Sequence, residues 1–416
     1  MPAVTFTTGG ALNKSALREA NERLVLNSIR QNPCASRSDL ARITGLSRSS
    51  VTFIVNRLVR KKVVCEERME NHSQVGRRPT PLRLRADAMM AVGVEISLSG
   101  ARVALADLTG NMVRQKMVAW HPNPDLFLEK IHEAIRGIIE PLSPKQILGV
   151  GVGLPGFLDR ATGKVIAAEN FDWFGVEAGN LLRKKLACPF YFENTARLSA
   201  LAEMWFCDGN RKPLRDFVFV TMRGGLGTGV MINGQILRGA SSGAAEFGHT
   251  TLYAHGRRCP CGNTGCWEQY ASDLALRRRY AERCGEAVRD PAAAEPEAIV
   301  AMAREGDAIA LRVLRETAHD AGMGFVNLIM ALNPEAIIVG DYLAEGWDLV
   351  EDIVWAEVRK RVPAYYLTAV RILPSKHALD SSLLGAVALV FAQFFTSFDH
   401  GNGNLAASSV VMRHSA

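Results

Sequence analysis

The 416-residue sequence lacks long hydrophobic segments and contains few cysteines. No apolar run reaches the roughly 18 residues that a membrane-spanning helix requires. No secretory signal is visible, and eight cysteines are too sparse in a chain of this length for a disulfide-stabilised scaffold. These absences argue against membrane and small secreted proteins, so we expect a cytoplasmic protein of two or three domains.

Acidic residues are scarce at the N-terminal end of the chain. Residues 1–90 contain 16 Lys and Arg against 7 Asp and Glu, a net charge of +9, whereas the remaining residues have a net charge of −2. The positive excess of the whole chain therefore lies in the first ninety residues. A solvated basic face would give the same count, but the asymmetry favours an N-terminal module for a polyanion.

The N-terminal region has the pattern of a helix-turn-helix. Apolar residues recur at helical spacing over residues 17–32. Ser36 or Ser38 can cap a second helix, which we expect to end at Gly45 because glycine accepts the turn conformation that other residues resist. Ser47 can cap a third helix.

The third predicted helix has an apolar face and an outward polar face. The outward residues are arginine or short polar residues, the types that read base edges in the major groove: Arg48, Ser49, Ser50, Thr52, Asn56 and Arg57. Residues 63–85 then predict a β-hairpin wing whose Arg77 and Arg78 can reach phosphates or a narrow minor groove. A plain helical hairpin would explain the helices alone, but pattern, wing and charge together favour DNA binding.

Residues 246–268 read EFGHTTLYAHGRRCPCGNTGCWE and combine cysteine, histidine and acidic side chains. The candidate metal ligands are His249, Cys259, Cys261 and Cys266. Thiolate and imidazole are the ligands that zinc prefers, and four of them close a tetrahedral structural site. A disulfide with a spare thiol, or three buried small side chains, would use the same cysteines. The ligand spacing favours structural Zn²⁺.

The rest of the sequence alternates predicted strands with predicted helices. We predict strands at 91–100, 101–110, 111–120, 147–154, 190–193, 217–222, 336–340 and 369–373. We predict helices at 125–140, 195–206 and 380–395, a mostly helical region at 267–332, and a glycine-rich turn at 224–229. This alternation indicates an α/β fold. The pattern begins twice, near residues 91 and 217, which predicts two similar lobes with a cleft between them.

Four segments carry a resemblance to a known family. They are the metal-ligand segment, GVGLPG at 151–156, ENTARLSALAE at 193–203 and GRRPTPLRL at 76–84. With these segments, residues 10–395 resemble the ROK family of repressors, open reading frames and kinases. The resemblance is to its transcriptional-regulator branch, which includes xylose and N-acetylglucosamine repressors.

The resemblance implies an α/β fold with three parts. A winged helix-turn-helix would occupy residues 1–87, a two-lobed actin/hexokinase-like (ribonuclease H-like) body with the zinc site residues 88–398, and a flexible tail residues 399–416. In the family, the matching acids and amides hydrogen-bond sugar hydroxyls in the cleft. Here these residues are Asn170, Asn194, Glu246, His249 and Glu268.

The resemblance also indicates where kinase machinery would lie, and the sequence departs from it there. Family kinases carry an aspartate base where this chain has Thr195, and paired glycines where it has Ser97 and Leu98. A threonine hydroxyl has no pKa near neutrality and cannot accept the proton of an attacking sugar hydroxyl as an aspartate can. We therefore expect no catalytic residues and no kinase activity.

The sequence thus predicts a DNA-binding transcriptional regulator, most plainly a repressor of carbohydrate-utilisation genes. Its expected partners are a double-stranded operator and a sugar or sugar phosphate effector, without a membrane. A homodimer or a dimer of dimers would match a near-palindromic operator. Two alternatives remain at this stage: an ATP-dependent sugar kinase with a DNA-binding arm, and a regulator controlled by a protein partner.

Overall fold

The computed structural model describes residues 14–67, 80–206, 214–285 and 295–396, which form two compact units. The first unit contains the chain up to Met89, with Asp107–Thr109 and the end of the last helix from Phe391. The second unit contains Met90–Ala106 and Gly110–Val390. The predicted wing residues Arg77 and Arg78, and the predicted tail at 399–416, lie outside the described residues.

The first unit begins with three helices and a short hairpin. Their bounds are α1 (Lys14–Gln31), α2 (Arg37–Thr44), α3 (Arg48–Arg60), β1 (Val64–Glu66) and β2 (Leu82–Leu84). The two strands are antiparallel, with Cys65 opposite Arg83, so the base of the predicted wing is a hairpin. The Leu82 N–H donates to the Ala35 carbonyl at 3.1 Å and attaches this hairpin to the turn between α1 and α2.

Local capping explains where these helices begin and end. The Ser36 side chain accepts from the Asp39 N–H, and the Asp39 carboxylate accepts from the Ser36 N–H, at the start of α2. Gly45 ends α2 with a φ of 70°, and the Ser47 side chain accepts from the Ser50 N–H at the start of α3. A serine cap contributes about 1 kcal/mol. The helices predicted here are confirmed.

The second unit contains two lobes, and the first lobe is built around a mixed sheet. Its elements are β3 (Met90–Ser97), β4 (Gly100–Asp107), β5 (Met112–Ala119), α4 (Pro124–Ile139), β6 (Ile147–Leu154), β7 (Phe157–Asp159), β8 (Lys164–Ala168), β9 (Trp173–Val176), α5 (Ala178–Arg183), β10 (Phe190–Asn194) and α6 (Thr195–Phe206). Within the described residues the sheet has the order β10-β6-β3-β4-β5, with β3, β6 and β10 parallel.

The second lobe repeats this arrangement. Its elements are β11 (Phe217–Thr221), β12 (Gly227–Ile232), β13 (Gln235–Ile236), α7 (Glu268–Ala271), α8 (Asp273–Cys284), α9 (Pro296–Arg304), α10 (Ala308–Leu332), β14 (Ala336–Val339), α11 (Asp341–Glu345), α12 (Trp347–Arg361), α13 (Ala364–Leu367) and β15 (Arg371–Pro374). The last helix, α14 (Ser381–Thr396), follows this lobe and returns to the first sheet. The described strands have the order β13-β12-β11-β14-β15, with β11, β14 and β15 parallel. Both sheets therefore place their first strand centrally, between an antiparallel pair and two parallel strands, which confirms the predicted repeat.

Glycines in the first sheet let α14 pack closely on it. A Cβ on Gly93 would lie 2.8 Å from the Leu383 carbonyl oxygen, and one on Gly151 would overlap the Ala386 carbonyl. The hydrophobic cores of the two lobes are separate clusters, one beneath each sheet. In the described part of the chain, none of the helices is long and apolar enough to cross a membrane.

The sequence missed several elements. The antiparallel sheet β7-β8-β9 lies in a segment to which no structure was assigned. The predicted glycine-rich turn at 224–229 was too long, because β12 begins at Gly227. This strand needs glycine at positions 227 and 229 because α6 packs closely against it. A Cβ on Gly227 would lie 2.8 Å from the Ala196 Cβ, and one on Gly229 would overlap the Ala196 carbonyl.

Candidate functional site

A cleft in the second unit is lined by residues from both lobes. All five predicted sugar-contacting residues lie in its wall: Asn170, Asn194, Glu246, His249 and Glu268. The cleft encloses about 130 Å³. At ~10–15 Å³ per water this volume holds on the order of ten waters, which suits a small polar ligand rather than a polymer.

The turn 224–226, between β11 and β12, is held from two sides. The Asn170 amide donates to the Gly224 carbonyl oxygen at 3.0 Å, and the buried Glu268 carboxylate accepts from the Leu226 N–H at 3.0 Å. A Cβ on Gly225 would lie 2.6 Å from a Glu268 oxygen and 2.9 Å from the Asn170 amide nitrogen. Glycine is therefore required here, with a φ of 144° that side chains rarely adopt.

Asn194 connects two loops beside the cleft. Its side-chain oxygen accepts from the Ala196 N–H at 2.9 Å at the start of α6. Its amide donates to the Gly156 carbonyl oxygen at 3.0 Å. Both polar ends of this side chain therefore already hold the backbone around the cleft.

Glu246 presents the most accessible carboxylate of the predicted set. Its side chain is 48% exposed, and the nearest cation is the Arg197 guanidinium at 3.9 Å. Loss of hydration in the cleft raises the pKa of Glu246, and the positive charge of Arg197 opposes this rise. The oxygens of Glu246 are therefore positioned to accept hydrogen bonds from a ligand.

Beside Glu246 lies an ion cluster that sequence reasoning missed. Glu193 is fully buried, and three arginines surround its carboxylate: Arg160 at 2.9 Å, Arg238 at 3.1 Å and Arg197 at 3.4 Å. Burial lowers the pKa of Arg238, and the Glu193 charge opposes that shift. Arg197 also donates to the Ala244 carbonyl oxygen at 2.9 Å, so the cluster anchors the loop that carries Glu246.

The four predicted metal ligands converge at one edge of the cleft. Their ligand atoms all lie within 4.8 Å of one another, so the group can hold a metal ion. The His249 Nδ1 lies 3.6 Å from the Cys259 sulfur, and the Cys261 and Cys266 sulfurs are 3.7 Å apart. Metal–sulfur bonds of about 2.3 Å in a tetrahedron place two sulfurs about 3.8 Å apart, so this spacing fits.

Neighbouring amides also fit an anionic sulfur cluster. The Asn263 amide lies 3.3 Å from the Cys266 sulfur, and the Gln269 amide lies 3.7 Å from the Cys259 sulfur. Groups that donate to ligand atoms in this way orient them around a metal. Burial raises the pKa of the Cys259 and Cys266 thiols, so a metal must displace their protons when it binds.

Charged side chains form ion pairs at two turns beside the cleft, the turn between β3 and β4 and the turn between β11 and β12. Glu95, near the end of β3, pairs with Arg102 at 2.5 Å and accepts from the Ser382 hydroxyl. Arg223, which the sequence did not single out, begins the second turn. It pairs with Glu297 at 2.7 Å and with the buried Asp341 at 3.3 Å.

Two buried acids hold the second turn in place. The Asp273 carboxylate accepts from the Gly224 N–H at 2.8 Å, and burial raises its pKa to about 6. The Asp341 carboxylate accepts from the Met222 N–H at 2.7 Å and from the Thr221 hydroxyl at 2.6 Å. Burial raises the pKa of Asp341 as well, and the Arg223 charge opposes this.

In the first unit, the predicted DNA-reading residues lie on α3. Arg48, Ser49, Thr52 and Asn56 are exposed, whereas Ser50 and Arg57 are half-buried. The apolar face predicted for this helix is buried through Val51, Val55 and Leu58.

Two of the predicted reading residues already have partners in the first unit. Arg57 forms an ion pair with Glu22 of α1. The Asn56 side-chain oxygen accepts from Arg37 at 3.0 Å. The exposed face of α3 also carries Phe53, an aromatic residue that the sequence prediction did not assign to either face.

Family models match both units. Residues 91–393 match the model of the ROK family. Residues 18–64 match a model described as winged helix-turn-helix DNA-binding.

Curated relatives include repressors over the full length and kinases over the body. The chain is 28% identical over 397 residues to the xylose repressor of Caldicellulosiruptor bescii, covering 92% of this chain and 98% of the repressor. It is 29% identical over 387 residues to the xylose repressor of Bacillus subtilis, covering 92% and 97%. It is 32% identical over 275 residues to a glucokinase of Streptomyces coelicolor, covering 63% of this chain and 85% of the kinase.

Solved structures share the fold. A ROK family transcriptional regulator described as a homolog of the Escherichia coli MLC protein aligns with a TM-score of 0.75 at 22% identity, covering 91% of this chain and 97% of the other. A ROK family glucokinase from Streptomyces griseus, solved with glucose and AMPPNP, aligns with a TM-score of 0.65 at 29% identity, covering 72% and 98%.

Proposed function

The chain belongs to the ROK family, and we propose that it is a transcriptional repressor of carbohydrate-utilisation genes whose operator binding is controlled by a small sugar or sugar phosphate. One observation carries this proposal. A DNA-binding winged helix-turn-helix and a cleft lined by carboxylates and amides occur in one chain, and the likeness to the xylose repressors spans both.

The first unit is the DNA reader. Arg48, Ser49, Ser50, Thr52, Asn56 and Arg57 contact the operator from α3, and Arg77 and Arg78 contact it from the wing. Serine, threonine and asparagine can each hydrogen-bond base edges in the major groove, and arginine can hydrogen-bond guanine or a phosphate. Arg57 is paired with Glu22. It can contact DNA only if it leaves Glu22 for a DNA group, or if it lies at the edge of the DNA contact surface.

The cleft is the effector site. A sugar offers a ring of hydroxyls that both donate and accept, and carboxylates and amides satisfy them in a directional way. Glu246 accepts from the ligand most readily because its side chain is half exposed and its ion pair with Arg197 is long, at 3.9 Å. His249 directs Nδ1 at the Cys259 sulfur, so its Nε2 remains for a hydroxyl. Asn170, Asn194 and Glu268 complete the wall.

The metal held by His249, Cys259, Cys261 and Cys266 is Zn²⁺ in a structural role. Three thiolates and one imidazole are a zinc ligand set, and four protein ligands leave no position open for chemistry on a substrate. The ligand His249 lies three residues after Glu246, and the ligand Cys266 lies two residues before Glu268, so the metal group braces the segment that carries the effector-binding acids.

The cleft binds its ligand without phosphorylating it. Thr195 stands where family kinases carry the base, and Glu95 is neutralised by Arg102. Arg223, between two carboxylates, begins the turn between β11 and β12, which would be a phosphate turn in a kinase. Loss of a general base alone costs about 10²–10⁴-fold in rate. The kinase alternative predicts ADP release with a panel of sugars, and robust turnover would overturn this part of the proposal.

The effector controls DNA binding by favouring one arrangement of the two lobes. A ligand can change operator affinity only if it binds one state of the protein more tightly than the other. In a two-fold dimer, such a change would alter the spacing of two reading helices, which must match half-sites about 34 Å apart.

The test is operator binding measured by fluorescence anisotropy with and without monosaccharides and their phosphates. We expect one effector to change operator affinity and to raise the melting temperature through its binding to the folded state. A chain that binds operator but is neither stabilised nor regulated by any member of a broad panel would favour control by a protein partner.

A further inference from the structure

Phe53 is the unusual residue of the reading helix. Its side chain is 60% exposed, the largest exposed fraction of any large hydrophobic residue described in the first unit. The core-facing positions of α3 are filled by Val51, Ile54, Val55 and Leu58. Phe53 therefore contributes little to the core, and its ring remains in water.

The position of Phe53 places it among the predicted DNA contacts. It follows Ser49 by four residues and precedes Asn56 by three, so all three lie on one face of the helix. Both of these neighbours are exposed. Arg60, seven residues after Phe53 and also exposed, continues this face, so the ring lies on a polar face of α3 that ends in a basic residue.

A single exposed apolar residue is common on protein surfaces and needs no special explanation on its own. Phe53 differs from other exposed apolar residues because it lies on the predicted reading helix. The major groove presents one apolar group, the C5-methyl of thymine, and apolar side chains such as phenylalanine contact it. The surrounding positive charge favours a polyanion over an apolar protein surface as the occupant of this face.

We propose that Phe53 is a specificity-determining residue that contacts the C5-methyl group of a thymine in each operator half-site. This inference deepens the proposed repressor function and rests on it. The polar residues of α3 read hydrogen-bonding edges, and Phe53 adds a contact that separates thymine from cytosine, which lacks the methyl group.

The experiment begins with the DNA that the full-length chain selects from a randomised duplex pool. Each thymine of that selected site is then replaced in turn by deoxyuridine, which keeps every hydrogen-bonding group and removes only the methyl. We expect one position per half-site at which wild-type affinity falls about fourfold, the effect of burying one methyl group.

The Phe53→Ala variant tests whether the loss of affinity at deoxyuridine depends on this ring. It should bind the thymine and deoxyuridine sites equally, and its own selection should lose the thymine preference at that position. Because Phe53 is exposed, the variant should fold normally. Tyr365→Ala, which removes a ring that is 73% exposed in the second unit, is the matched control and should leave the deoxyuridine profile unchanged.

The outcomes separate this inference from the proposed function. A selected operator with no position at which the deoxyuridine effect depends on Phe53 overturns the inference and leaves the repressor function standing. If Phe53→Ala instead weakens self-association in sedimentation, the ring serves a second copy of this chain and the inference is wrong. If the wild-type chain selects no DNA sequence at all, the proposed repressor function is wrong, and the inference about Phe53 is wrong with it.

Discussion

Replacing Glu193 with glutamine should destabilise the second unit strongly. The carboxylate is fully buried, and three arginine side chains with exposed fractions of 19%, 3% and 15% surround it. Glutamine keeps the shape but removes the buried negative charge that all three arginines face. Loss of one partner from a buried ion pair costs about 3–5 kcal/mol, because the remaining charges stay buried without compensation.

This cost converts to a change in melting temperature. The second unit contains about 300 residues, and unfolding entropy near 60 °C is about 2.1 cal/mol/K per residue. The unit therefore loses about 0.6 kcal/mol of stability per degree, and the Glu193→Gln variant should melt roughly 5–8 °C below the wild type. Differential scanning calorimetry of the full-length chain measures this directly.

A matched control tests whether burial is the cause. Glu129 pairs with Lys184 at 3.6 Å, and both side chains are more than half exposed. Exposed pairs contribute 0–1 kcal/mol, so Glu129→Gln should shift the melting temperature by less than about 2 °C. A Glu193→Gln variant that melts within this same range would refute the argument that the cluster depends on the buried carboxylate.

Four further outcomes are expected. Replacing Cys259 and Cys261 together with serine should abolish zinc binding, measured by atomic absorption, and lower the melting temperature; full retention of zinc would contradict the ligand assignment. Arg48→Ala should weaken operator binding about 10-fold or more in anisotropy titrations while effector binding stays intact. Glu246→Gln should weaken effector binding about 10–100-fold in calorimetric titrations, the value of a hydrogen bond to a charged group, with operator affinity unchanged when effector is absent. Thr195→Asp should show no ADP release with any sugar, because restoring the base leaves Arg223 in the phosphate turn.

Local signals explain why much of the fold could be predicted from sequence. Helix α6 was predicted with the bounds Thr195–Phe206 that the structure has. The structure shows a local reason for its start, because the Asn194 side chain accepts from the Ala196 N–H. The repeat of the lobes followed from the order of predicted strands. By contrast, β8 and β9 are four to five residues long and have no clear alternation, so periodicity could not reveal them.

Part of the candidate site could likewise be predicted from sequence, and part could not. The metal ligands lie within eighteen residues of sequence, so their spacing alone indicated the group. The Glu193 cluster draws Arg160 and Arg238 from positions 33 residues before and 45 residues after it, and only the tertiary fold brings them together. The ion pair between Arg57 and Glu22 of α1 could not be predicted either, because the helical position of Arg57 says nothing about its partner on another helix.

The contacts of the turn 224–226 indicate how an effector could change the relation between the lobes. Asn170 belongs to the first lobe and donates to the Gly224 carbonyl oxygen of the second, while Glu268 accepts from the Leu226 N–H. Both side chains therefore hold the same turn. A ligand that draws Asn170 away removes a hydrogen bond between lobes, and one that also engages Glu268 loosens the second anchor of the turn. Such a ligand binds the two lobe arrangements with different affinity, which is the condition that effector control of operator binding requires.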